Sequence, residues 1–217
     1  MIKISENKNK LKGEISKFPK VICSTVVRCA RRGESHGKIY LVDLNTEKFQ
    51  EVLDWKEDSI SWKERGYDRG LRGIAINSDF IYVASSEKIL VFDKTFSLLE
   101  TIKGNYLKAC HEIFIEENIL YITSTRFNSI LEYDLNSKSF IKGYYLKANK
   151  LLRLILKIER KFIEIITNKF LKNIIEDVFK FITSKPKNSK PKLISFDPTA
   201  EKGPKQLDVH HINSVWK

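Results

Sequence analysis

The chain has few of the features that mark membrane-spanning, secreted or disulfide-rich proteins. It contains three cysteines, Cys23, Cys29 and Cys110, and no C-x-x-C pair. This odd, sparse count fits reduced, buried thiols better than a disulfide framework. No run of eighteen or more uncharged apolar residues occurs, and residues 1–20 are polar and lysine-rich without an apolar signal core. We expect a cytoplasmic protein of one domain, preceded by a polar leader over 1–20.

Acidic residues are scarce in one part of the chain. The net charge is +12 over 217 residues, and residues 147–192 contribute 13 Lys and Arg against 4 Asp and Glu. The rest of the chain is therefore close to neutral. We do not expect a nucleic-acid partner, because aromatic residues that could stack on bases are not interleaved with the lysines.

Glycine and proline are absent from residues 146–182, where apolar residues recur at helical spacing with Lys and Arg on the other side. This pattern predicts a basic amphipathic helix or helical hairpin, followed by a linker up to 192, inserted after residue 145. Such a helix could lie on an anionic membrane surface or bind a partner protein. The same apolar stripe would also suit a helix packed on its own domain.

The chain does contain a repeated unit. Residues 72–93 and 111–134 share an order of short alternating strands, and Tyr82 and Tyr121 lie 39 positions apart. A period near 40 with several strands per unit is typical of β-propeller blades. Residues 39–45 match 130–136, which adds a first blade without its innermost strand.

The fold class predicted is therefore all-β, with propeller blades at about 21–54, 72–103 and 111–145. In each unit an aspartate, Asp43, Asp93 or Asp134, ends a strand and opens a turn in which its carboxylate can accept backbone amide hydrogen bonds. These aspartates are expected to be structural.

Residues 193–217 resemble the start of a further blade or a closing strand. Propellers usually need four or more blades to close a ring without exposed sheet edges. Three arrangements remain open. The last segment could complete blade one of the same chain, two copies could share strands as a homodimer with six blades, or the sequence could be a fragment of a longer protein.

Alignment of the repeats on their tyrosines predicts a candidate site. It places Arg72 opposite His111, and the last segment adds His210 or His211 at the same position. Innermost strands line the centre of a propeller, so their first residues converge at one end. Imidazole and guanidinium groups together suit a small anionic ligand, and histidine can also transfer protons. The alternative is that these side chains only cap strand ends.

Other chemistries are less consistent with the residues. Cys110 and His111 point to opposite faces of a strand, which disfavours a cysteine–histidine dyad. No carboxylate stands at a matching repeat position on the same face as the histidines, so a metal site is not expected. No other cofactor is predicted, because the glycines at 66–73 are not followed by the Gly-Lys-Ser/Thr of a phosphate loop.

Three phrases resemble the NHL-like and arylsulfotransferase-like propeller group: His111-Glu112-Ile113, residues 120–134, and His211-Ile212-Asn213-Ser214-Val215. The resemblance implies a six-bladed ring. In the sulfotransferase branch it also implies a histidine that accepts the sulfuryl group, and His211, Arg126 and Asn213 are the matching positions.

Two main functions follow from these patterns. The first is a scaffold that binds a small anionic ligand or a protein, with Arg72, Arg126, His210 and Asn213 as binding residues. The second is an enzyme for sulfuryl transfer or ester hydrolysis on an anionic substrate, with His111 or His211 as the catalytic residue. Attachment to a membrane or partner through residues 146–182 is a third.

Overall fold

The computed structural model describes residues 20–27, 30–31, 33–56, 70–147, 158, 171, 173–174, 191–206, 208 and 210–215. These residues form twelve β-strands and one 3₁₀ turn, Thr125–Phe127. The strands are β1 (Lys20–Ser24), β2 (Gly37–Asp43), β3 (Lys48–Trp55), β4 (Ile74–Ile76), β5 (Ile81–Ala84), β6 (Ile89–Phe92), β7 (Leu98–Ile102), β8 (Cys110–Glu116), β9 (Ile119–Ser124), β10 (Ser129–Asp134), β11 (Ser139–Lys147) and β12 (Lys192–Phe196).

The strands form three antiparallel sheets, which we call blades. Blade one has the order β1-β2-β3, blade two β4-β5-β6-β7, and blade three β8-β9-β10-β11-β12. Consecutive strands are neighbours in every sheet, so each blade is a meander. Meanders of this kind that pack face to face in chain order give the all-β, propeller-like fold predicted from the repeats.

Blade two is covered on both faces because successive side chains along its strands point in opposite directions. One face packs against blade three through Tyr82, Ala84, Ile89 and Val91. The other face packs against blade one through Ile81, Val83, Leu90 and Phe92. All eight side chains are at most 5% exposed. The apolar residues at nearly every position of β5 and β6 are thus explained by burial on both sides.

Blade one has no strand in the innermost position among the described residues. Ile39 of β2 and Ile130 of β10 occupy the same position in the repeat, and they pair with Ser24 and Thr123 respectively. β1 is therefore the counterpart of β9, the second strand of blade three. The strand that corresponds to β8 is missing from the described part of blade one.

Blade three gains a fifth strand from the C-terminal region. Residues 192–196 form β12 on the outer edge of β11, where Lys192 lies opposite Lys147. The Phe196 ring packs edge-on against Tyr106 and Tyr145, with ring centroids 5.0 and 5.9 Å apart. We expected residues 193–217 to be the start of a further blade or a closing strand. The first of them, up to Phe196, belong to blade three, where pairing with β11 covers its edge. For the residues after Phe196 the expectation stays a prediction. Beyond residue 196, no described residue is in a strand.

The predicted basic helix lies almost entirely outside the described residues. Four isolated positions within it, Ile158, Leu171, Asn173 and Ile174, are helical and exposed. Its predicted start needs adjustment, since Leu146 and Lys147 belong to β11. Within the described ranges, no helix is long and apolar enough to cross a membrane.

The turn aspartates have the structural role expected of them. Asp43, Asp93 and Asp134 each accept a hydrogen bond through Oδ1 from the backbone N–H two residues later, at 2.8–2.9 Å. Asp197 repeats the arrangement after β12, with Thr199 N–H at 2.8 Å. The hydrogen bonds hold the pKa of each carboxyl below its ordinary value, since they stabilise the ionised form.

Candidate functional site

The structure brings three of the predicted site residues together where β4 and β8 begin. Arg72 Nη1 lies 3.4 Å from His111 Nδ1. The ring of His111 lies edge-on to the ring of His211, with centroids 5.4 Å apart. Alignment of the repeats predicted that Arg72, His111 and one of the two C-terminal histidines would converge, and His211 is the histidine that contacts His111.

Backbone hydrogen bonds between and within the blades hold Arg72 and His111 in place. Gly73 N–H donates to His111 O across the boundary between blades two and three, at 2.7 Å. Arg72 N–H donates to Ala84 O at 2.8 Å, which ties the segment before β4 to β5. His111 N–H is 3.2 Å from the hydroxyl oxygen of Thr123, a fully buried residue of β9. The positions of both side chains are therefore set by the strands.

His211 is positioned by a carboxylate that sequence reasoning missed. Asp208 Oδ2 lies 2.9 Å from His211 Nδ1, and the two side chains are 25% and 57% exposed. His211 has a φ of +47°, a left-handed conformation that is uncommon outside glycine. Asp208 stands three residues before His211 in a stretch outside the repeats, and this spacing was the only signal in the sequence that could have revealed it.

We call Arg72, His111, His211 and Asp208 the histidine cluster. In it a carboxylate, two imidazoles and a guanidinium follow one another in space. A carboxylate on Nδ1 favours the proton on that nitrogen, which leaves Nε2 of His211 able to accept or donate a proton. The Arg72 guanidinium is always charged and can form two parallel hydrogen bonds to an oxyanion. The cluster can therefore bind an anion and exchange a proton.

The other three predicted binding residues have surroundings different from those of the cluster. Arg126 lies in the 3₁₀ turn after β9, and its buried Nε makes no hydrogen bond there. His210 is held through its backbone N–H, which donates to Asn128 Oδ1 at 2.8 Å, while its Nε2 is buried without a hydrogen bond among the described residues. Asn213 is exposed.

Groups that would support other chemistries are not assembled among the described residues. No three His, Cys, Asp or Glu side chains within those ranges are grouped as metal ligands. Cys110, next to His111 in sequence, is fully buried in the core between blades two and three. Cys23 is exposed on blade one, so the expectation of buried thiols is wrong for this residue.

Comparison with known proteins finds no matching family and only distant structural similarity. No family model matches the chain, and no curated protein matches it. A chain of the nidogen/laminin complex is 12% identical over 50% of this chain, with a TM-score of 0.38. The glutaminyl cyclase of Myxococcus xanthus is 10% identical over 60%, with a TM-score of 0.32, and U3-55K is 15% identical over 61%, with a TM-score of 0.38. The match spans 38%, 60% and 41% of those chains respectively.

Proposed function

We propose that this chain is a propeller-like scaffold that binds a small anionic ligand at the histidine cluster. The observation that carries the proposal is the contact between Arg72 and His111 and between His111 and His211 at the start of two adjacent inner strands. These three side chains come from distant parts of the sequence. A role limited to capping strand ends would not require them to contact one another.

The charges of the cluster favour an anion. Arg72 supplies a permanent positive charge, and each of the two imidazoles adds one further positive charge when it is protonated. Asp208 contacts His211 on the side of Nδ1, so its negative charge is balanced within the cluster when that imidazole is protonated. Sulfate, phosphate and carboxylate groups all offer oxygens that a guanidinium can bind through two hydrogen bonds.

Titration calorimetry with inorganic sulfate and inorganic phosphate tests this proposal. We expect Arg72→Gln to weaken binding at least tenfold, because the bidentate donor and its charge are both lost. Arg31→Gln removes an arginine charge outside the cluster and should leave the affinity unchanged. Equal binding by the Arg72→Gln variant and the unaltered protein would refute the proposal.

A second candidate function is catalysis on an anionic ester, which the Asp208–His211 pair favours. A carboxylate that orients an imidazole is the arrangement by which histidine becomes an effective base or nucleophile. In sulfuryl transfer, Nε2 of His211 would attack sulfur while the S–O bond to the alcohol or phenol breaks and Arg72 holds the sulfonate oxygens. An acceptor hydroxyl would then take the group from the histidine.

Assays with p-nitrophenyl sulfate, with and without phenol as acceptor, and with p-nitrophenyl phosphate test this second function. We expect His211→Ala to abolish any turnover and Asp208→Asn to reduce kcat at least tenfold. Arg31→Gln is the matched control. Activity that survives His211→Ala and His111→Ala would show that the turnover arises elsewhere.

A further inference from the structure

Among the described strands, none occupies the position beside β1 in blade one. In blade three, β9 pairs with β8 on one side and with β10 on the other. Blade two repeats the arrangement, in which β5 lies between β4 and β6. β1 is their counterpart and pairs with β2, but no described strand pairs with its other edge. One inner strand would complete blade one.

The segment 210–215 carries an inner-strand sequence and lies beside blade three. Cys110, at the start of β8, is anchored to blade two by a hydrogen bond from its N–H to Ser86 O. Thr125 corresponds to Ser86 in the 39-residue repeat, and its hydroxyl donates to Ile212 O at 2.5 Å. With the contact between His111 and His211, this places the segment where the inner strand of a next blade begins.

The open position and this segment lie at opposite ends of the row of blades. One core cluster joins blades one and two, and the other joins blades two and three. Neither of these described clusters contains residues of both blade one and blade three. A three-bladed ring would also be too tight for ordinary propeller closure. The segment of one copy is therefore better placed to reach β1 of another copy than its own.

The two outward faces of the row each carry apolar residues and are complementary in position, although Glu132 and Lys142 also lie on that of blade three. Blade three presents Phe114, Ile130 and Tyr144, all partly exposed, on the side where a next blade would pack. Blade one presents the opposite side, where Tyr40, Val42 and Phe49 line an open cavity of about 490 Å³. Phe49 is 72% exposed. The outward face of blade three in one copy can pack against the outward face of blade one in another copy. Two copies can therefore form two identical blade boundaries, related by a twofold axis.

We propose that two copies of this chain close one six-bladed ring, in which residues 211–215 of each copy form the inner strand of blade one of the other. Each segment would pair antiparallel with β1, as β8 pairs with β9. Blade three of each copy would cover the outward face of blade one of its partner. The two histidine clusters would then open onto the same central channel.

The repeat fixes the expected register of this pairing. Ile113 lies opposite Ile122 in blade three. Asn213 corresponds to Ile113, and Cys23 corresponds to Ile122. Asn213 of one copy should therefore lie directly opposite Cys23 of the other, with Cβ atoms about 4.5–5.5 Å apart and on the same face. Ser214 should point to the other face.

Disulfide trapping tests both the pairing and its register. On a Cys29→Ser background, mild oxidation of Asn213→Cys should give a covalent dimer on a non-reducing gel. Ser214→Cys is the matched control and should not cross-link, and Cys23→Ser should abolish the cross-link of Asn213→Cys. Absence of the dimer band, or a disulfide within one chain, would overturn the proposal.

Molar mass provides an independent measurement on the unaltered protein. Light scattering coupled to size exclusion should give twice the mass of the chain, and Ile130→Arg should convert the dimer to monomer by placing a charge on the blade boundary. A monomeric unaltered protein would refute the ring. Neither result depends on anion binding, so this proposal and the proposed function can fail separately.

Discussion

The boundary between blades two and three differs from the outward faces of blades one and three in what covers it. At the inner boundary, Ile89, Leu120, Ile122 and Leu131 are at most 1% exposed. On the outward faces, the same kinds of residue remain partly or largely open to solvent, as Phe49 is at 72%. The sequence patterns of the strands are alike at the inner boundary and on the outward faces. The difference is that a neighbouring blade covers the inner boundary and no described blade covers the outward faces.

This contrast shows that a blade is completed by its neighbours as well as by its own hydrogen bonds. Ile89 and Ile130 occupy the same position in the repeat, yet Ile89 is fully buried against blade three and Ile130 is only partly buried. Blade three therefore has an outward face that no described blade covers. Burial of such apolar area is the main source of stability in a repeat fold.

Substituting matched isoleucines on the two faces of blade three should have the largest effect. Ile122→Ala removes a fully buried side chain from the inner boundary, and we expect it to lower the free energy of unfolding by about 2–5 kcal/mol. Ile130→Ala acts on the outward face, and we expect a loss below about 1 kcal/mol when the protein is dilute enough to be monomeric. Urea unfolding at two protein concentrations measures both.

The concentration dependence sharpens this test. The cost of Ile122→Ala should be much the same at both concentrations, since its contacts are within one chain. The cost of Ile130→Ala should grow with concentration if the outward face is used in assembly. Equal costs for the two variants in the dilute protein would contradict the distinction between the two faces.

Substitution of Gly73 tests how closely the inner strands β4 and β8 must approach each other. A Cβ at this position would lie 2.7 Å from Glu112 Cα and 2.7 Å from Ile113 N. Since both atoms belong to the backbone of β8, Gly73→Ala must push β4 and β8 apart, at a cost of about 1–3 kcal/mol. The same movement should weaken sulfate binding, because the Arg72–His111 contact spans this boundary.

Gly33→Ala provides the control for that variant. Gly33 has a φ of +84° and no atom within 4 Å of an added Cβ. The substitution should cost about 1 kcal/mol through backbone strain alone, with sulfate affinity unchanged. If Gly73→Ala lowers stability without changing the affinity, the spacing of the inner strands is not what positions the site.

The propeller-like fold could be predicted because its determinants are local and repeated. Tyr82 and Tyr121 align two units 39 residues apart, and each unit is a meander whose strands pair with their neighbours in sequence. β12 also pairs with the strand before it, but residues 148–191 separate it from β11 in the sequence. No short turn pattern links the two strands, and the apolar alternation of β12 alone could not distinguish an added edge strand from a new blade.

The candidate site was predictable to the extent that it follows the repeat. Arg72 and His111 hold equivalent positions, and so their proximity follows from the contact between inner strands. Asp208 lies outside the repeats, and its contact with His211 depends on a left-handed backbone conformation that no local pattern specifies. Arg126 was selected by resemblance, which cannot indicate that its Nε would be buried without a hydrogen bond among the described residues.

Substitution of the turn aspartates should have the smallest effect on stability. The effect should be equal in blade two, which is covered on both faces, and in blade three, which is covered on one. In Asp134 the carboxylate accepts hydrogen bonds from the N–H groups of Ser137 and Asn136, which lowers its pKa. In Asp93 the hydroxyl of Thr95 and the N–H of Ser97 have the same effect. A carboxyl whose pKa is lower in the folded state than in the unfolded state stabilises the fold at pH values above its unfolded-state pKa. This contribution is lost as the pH falls through the folded-state pKa.

Asp134→Asn and Asp93→Asn retain an acceptor oxygen but remove the charge. Each variant should therefore melt slightly below the unaltered protein at pH 7, and the difference should shrink to zero as the pH falls below about 4. Thermal melts between pH 7 and pH 2.5 measure it. Because these hydrogen bonds are made within each turn, the two shifts should match even though blade two is covered on both faces and blade three on one. A larger shift for Asp93 would show that turn stability depends on the packing of the blade.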